Sequence, residues 1–84
     1  MSRKNAAKAT EKSMMYKIES LRLLVVNNAL TQQEADEARV GLMLHQDDLA
    51  LTLLGMYGLK SKGQLTMVDF DKAKKHFMEA CKTV

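Results

Sequence analysis

The sequence predicts an all-α protein, a four-helix domain built of two capped helical hairpins. Three observations lead there. Good helix formers (Ala, Leu, Met, Lys, Gln and Glu) fill most of the 84 residues, and proline is absent. No stretch alternates apolar and polar residues long enough to make a half-buried strand. A helix-start signature, a threonine with an acid three residues on, occurs twice, at Thr31 with Glu34 and at Thr66 with Asp69.

Residues 1–12 are polar, basic and alanine-rich with no apolar face, and they read as a flexible basic arm or a frayed helical extension. The single helical domain is expected over 13–84. Its first helix runs from about Ser13 to Val26, with Met14, Ile18, Leu21 and Val25 recurring at the spacing of a buried face, widened by Leu24 and Met15. Asn27 and Asn28 end it, because asparagine tolerates the left-handed conformation of a C-terminal cap. Thr31 and Glu34 then form a capping box for a second helix ending near Leu44 and burying Ala35, Ala38 and Leu42.

His45 and Gln46 make the next turn, and Asp47 or Asp48 caps a third helix. That helix carries Ala50, Leu53, Leu54 and Tyr57 on one face and is expected to end near Gly58. The segment from Gly58 to Gly63 reads as the clearest loop, and the four glycines read as possible breaks. Thr66 caps the last helix, Leu65 can staple onto Phe70, and Phe70, Ala73, Phe77, Met78 and Cys81 form its buried side.

The two halves correspond at an offset of 35 residues. Thr31 falls on Thr66, Glu34 on Asp69, Ala38 on Ala73, Arg39 on Lys74 and Met43 on Met78. One helical hairpin cannot bury its apolar side alone, so two would pack together. With Gly63, Leu65 and Asp69 in one half and Asn28, Leu30 and Glu34 in the other, the layout loosely resembles a pair of EF-hands. The resemblance implies the helix–loop–helix arrangement and not the metal. At its calcium-ligand positions stand Gly58, Lys60 and Lys62, and Leu23, Val25 and Asn27, and lysine ammonium groups would repel the ion.

Little supports catalysis. His45 and His76 are the only histidines and lack metal-ligand spacing, Cys81 is the lone cysteine, and no glycine-rich phosphate loop is present. The acids at Asp47, Asp48, Asp69 and Asp71 occupy helix starts, where the dipole favours negative charge. No enzyme class, cofactor, metal or small-molecule substrate is indicated. One cysteine allows no internal disulfide, and no apolar run is long enough to span a bilayer, so a reducing cytoplasm is the expected setting.

Binding is the remaining expectation. Seven methionines and leftover apolar residues exceed what one small core needs. Val40, Leu44, Leu51, Met56 and Leu59 are the candidate contacts of a regulatory, adaptor or inhibitor module that engages a protein partner or a second copy of itself. The alternative is a nucleic-acid binder or transcriptional regulator. Residues 1–17 hold five basic residues against the single acid Glu11, whereas the other 67 hold eight basic and nine acidic. Arg3, Lys4, Lys8 and Lys12 in the arm, with Lys72 and Lys75 in the last helix, would contact phosphates. The second helix resembles the opening helix of a helix-turn-helix reader, yet the span from Asp48 to Tyr57 that follows has no basic residue.

Overall fold

The computed structural model describes residues 3–82, with side chains from Glu11 onward, as four helices. They are α1 (Arg3–Val26), α2 (Gln32–Leu44), α3 (Leu49–Ser61) and α4 (Met67–Lys82). The hairpins α1–α2 and α3–α4 stack so that α1 lies on α3 and α2 on α4. Around the bundle the order is therefore α1, α2, α4, α3, with α2 and α3 at opposite corners.

The helix ends follow from local chemistry. Asn28 (φ 60°) and Gly63 (φ 76°) adopt the left-handed conformation. Each closes a helix with the same pair of bonds. The Ala29 N–H donates to the Leu24 carbonyl at 2.8 Å and Asn28 to Val25 at 3.0 Å, as Gln64 does to Leu59 at 2.9 Å and Gly63 to Lys60 at 3.0 Å. This doubled closure satisfies carbonyls that a helix end would otherwise leave bare. Three residues on, the Thr31 hydroxyl accepts from the Glu34 N–H at 3.1 Å while the Glu34 carboxylate accepts from the Thr31 N–H at 2.9 Å. The Thr66 hydroxyl accepts from the Asp69 N–H at 3.1 Å. The 35-residue offset thus recurs in the backbone.

Leu24, Leu42 and Leu53, one from each of the first three helices, are fully buried, and Phe70 and Phe77 close the core from α4. Burying side chains of this size contributes about 1.5–3 kcal/mol each. The Tyr57 and Phe70 rings meet edge to face at 5.8 Å, and the Lys60 ammonium lies 5.4 and 5.5 Å from the two ring centres.

Several expectations need correction. α1 begins at Arg3, so of the two readings of the N-terminal arm the helical extension is the one the backbone takes from there on. Of the expected buried face of α1, Leu21 and Leu24 are buried and Val25 packs on the core, and the rest turns outward. Met14, Met15 and Ile18 are exposed, Ile18 by 52%, while Lys17 and Ser20 are buried beside Leu21 and Leu24. α3 continues past Gly58 to Ser61, so four of the six residues of the expected Gly58–Gly63 loop are helix. Gly41, Gly55 and Gly58 lie inside helices, and only Gly63 marks a break. The connections between α1 and α2 and between α3 and α4 are five residues long, against about twelve for a calcium loop. The EF-hand likeness therefore stops at the caps.

The interior glycines differ in kind. A Cβ at Gly41 would stand 1.8 Å from the Cys81 carbonyl oxygen, so α2 and α4 cross with their backbones in contact. A Cβ at Gly55 would meet nothing within 4 Å. Gly55→Ala is therefore expected to raise stability by about 0.5–1 kcal/mol, read as a higher thermal midpoint in dilute protein.

Glu34 also ties the hairpins together, its carboxylate 3.0 Å from the Lys74 ammonium on α4. Burial acts to raise its pKa, but the Thr31 N–H and the Lys74 ammonium outweigh this and hold it below the ordinary value. A lowered carboxyl pKa stabilises the fold above the unfolded-state value, and that stability is lost as pH falls through the lowered one. Glu34→Gln keeps a capping oxygen and loses the charge. At neutral pH it should cost about 0.5–1 kcal/mol, and its denaturation midpoint should converge on that of the wild type as pH drops below the carboxylate range.

Candidate interaction surface

The exposed apolar residues fall on different sides of the bundle. Leu51 (56% exposed) and Leu59 (41%) lie on α3 with half-buried Met56 between them. Val40 and Leu44, each 65% exposed, lie on α2. Because α2 and α3 occupy opposite corners, the five candidate contacts do not form one patch. Leu51, Met56 and Leu59 share α3, whereas Val40 and Leu44 stand on α2.

Of these, Met56 enters the lining of a groove of about 380 Å³ between α3 and α4. Leu49, Leu53 and Met56 line it from α3, Ala73 and Phe77 from α4, with Thr52 and His76 at the rim. Position in the sequence alone gives no sign of this groove, since it exists only where Phe77 and Ala73 leave space beside α3. Asp48 anchors its lip by capping α3, its carboxylate accepting from the Leu51 N–H at 3.0 Å. From Leu49 to Leu59, α3 carries no charged residue.

A second groove of about 350 Å³ runs between α1 and α2. Ile18, Leu21, Val25 and Ala35 form its floor, and Arg22 and Arg39 edge it. Both arginines are already paired within their helices, Arg22 with Glu19 and Arg39 with Asp36 at 3.5 Å. The hydrogen bond from Arg22 lowers the Glu19 carboxyl and in return raises the guanidinium. This groove is the more polar of the two.

A buried junction joins the interior of α1 to the C-terminal ends of α2 and α4. Lys17 of α1 is only 3% exposed, and its ammonium donates to the carbonyl of His45, the residue that caps the C-terminus of α2, at 2.5 Å. A cation at that end complements the helix dipole. His45 in turn accepts the Asp47 N–H on its Nδ1 at 3.1 Å. Cys81 of α4 is buried against Gly41. Burial pushes its thiol pKa up, and the Lys17 ammonium offsets part of the rise. Sequence periodicity missed Lys17, because a lysine counts as polar even when its aliphatic stem is packed.

Comparison with protein-family models, curated proteins and solved structures finds no match to this chain.

The nucleic-acid candidates are dispersed. Lys72 and Lys75 are exposed on α4, and Lys12 is exposed on α1. The side chains of Arg3, Lys4 and Lys8 lie outside the described residues. α2 and α3, the pair that would make a helix-turn-helix reader, do not pack as neighbours. Among the described residues no group of three or more His, Cys, Asp or Glu side chains is placed to hold a metal ion. No helix among them is long and apolar enough to cross a membrane.

Proposed function

We propose that the chain is a non-catalytic interaction module that docks protein through α3 and the groove it shares with α4. The carrying observation is that Leu49, Leu53 and Met56 line an apolar groove with Ala73 and Phe77, on a helix that also exposes Leu51 and Leu59 and carries no charge from Leu49 to Leu59. Contiguous apolar surface of this kind marks interaction sites in small soluble domains. A regulatory, adaptor or inhibitor role needs no more than such a surface.

The test is affinity capture of the tagged chain from nuclease-treated native lysate, beside a Leu51→Lys variant with unchanged helicity. Wild type is expected to retain a stoichiometric protein that the variant loses. An eluate emptied by nuclease, with Leu51→Lys indistinguishable from wild type, would transfer the function to the basic residues of α1 and α4.

A further inference from the structure

Two glycines on α3 have no role inside the chain. Glycine in a helix is unfavourable relative to alanine, so its presence calls for a compensating reason. The Cys81 carbonyl supplies one at Gly41 and the positive φ supplies one at Gly63. A Cβ at Gly55 or Gly58 would meet no atom within 4 Å, and neither residue has a positive φ. What they permit is close approach from outside. Helical spacing sets them on the same side as Leu51, Thr52 and Leu59.

We propose that this face of α3 packs against α3 of a second copy, the two helices running antiparallel across a twofold axis at Gly55. The interface of a twofold dimer must be complementary to itself, and this stripe is. Leu51 and Leu59 stand four residues on either side of Gly55, and the small residues Thr52 and Gly58 stand three on either side. The twofold therefore sets Leu51 against Leu59 of the partner subunit, beside the α3–α4 groove that borders Thr52. Asp48 and Lys62 stand seven residues on either side of Gly55, on the same side of the helix, so each carboxylate faces an ammonium of the other copy. A parallel pairing would oppose like charges at both ends. Between these ends no charge from Leu49 to Leu59 has to be desolvated. One helix from each subunit with a bordering groove is at the small end of specific interfaces, which bury about 800 Å² per partner, so the dimer dissociates on dilution.

The inference rests on the docking role proposed for α3. Sedimentation velocity of the full chain over a concentration series tests it. Wild type is expected to be a reversible dimer. Leu51→Glu and Gly55→Leu should each raise the dissociation constant about tenfold or more with helicity unchanged, one by desolvating a lone charge and the other by holding the helices apart. Leu51→Glu combined with Leu59→Lys should recover to within about threefold of wild type, because the twofold brings each glutamate onto a lysine. A wild type that stays monomeric, a dimer indifferent to both single variants, or a double variant no better than Leu51→Glu would each overturn the proposal. A monomer that still captures a lysate protein through Leu51 removes the second copy and leaves the docking role standing. A monomer that captures nothing removes both.

Discussion

Gly41→Ala is expected to lower the stability of the fold by about 2–4 kcal/mol, the largest effect of any single methyl group added to this chain. The added Cβ would stand 1.8 Å from the Cys81 carbonyl oxygen and 2.7 Å from its Cα. These are backbone atoms of a helix, which no rotamer change can move aside. Relief requires α4 to shift along α2, and that shift disturbs Phe77 and Leu42, both in the core. Alanine's better helix propensity returns only about 1 kcal/mol. A domain of this length is stable by about 4–13 kcal/mol, so the loss is a large share, and the melting midpoint should fall by roughly 10–25 °C. Denaturant titration followed by circular dichroism is the measurement, with Gly55→Ala as the matched control. A Gly41→Ala midpoint at or above that of the wild type would show that α2 and α4 do not cross so closely.

The parts of this fold legible in the sequence are those governed by local chemistry. Asn28, Thr31, Glu34, Gly63, Thr66 and Asp69 announce the helix ends because a cap is completed within a few residues of itself. The α2 core positions Ala35, Ala38 and Leu42 are equally plain, since they recur at helical spacing directly after the cap at Thr31. In α1 two sides compete. Met14 and Ile18 fit helical periodicity, yet the helix turns Lys17 and Ser20 inward because α3 and the end of α2 lie on that side. On α3 the face picked out by helical spacing, Ala50, Leu53, Leu54 and Tyr57, is the one that packs on the core, but the helix is apolar nearly all round and nothing local shows that Gly58 is interior. The candidate contacts were legible as leftovers and not as a site. Whether Leu51 and Leu59 share a patch with Val40 and Leu44 depends on which helices are neighbours, a long-range fact that no local spacing records.

Lys17→Ala is the second large effect, an expected loss of about 2–3 kcal/mol. The variant removes a charged hydrogen bond to the His45 carbonyl, which is worth about 1.5–3 kcal/mol, and also removes the packed lysine stem. Lys17→Met keeps most of the stem and should recover part of the loss, because an apolar side chain of similar length no longer carries a charge out of water. The two variants thus separate packing from the polar contact. Cys81 reports on the same junction independently of stability. Its thiol is raised by burial and partly drawn back by the Lys17 ammonium, so Lys17→Met should raise it further and slow its alkylation in the native state. A raised thiol pKa favours the folded state below the unfolded value and loses that contribution as pH climbs through the folded one, so stability should decline at alkaline pH more steeply than in Cys81→Ala. Denaturation midpoints and thiol-alkylation rates, each against pH, measure both. If Lys17→Ala matches wild type in stability while alkylation is unchanged, the ammonium neither holds the end of α2 nor acts on Cys81, and the junction is packing alone.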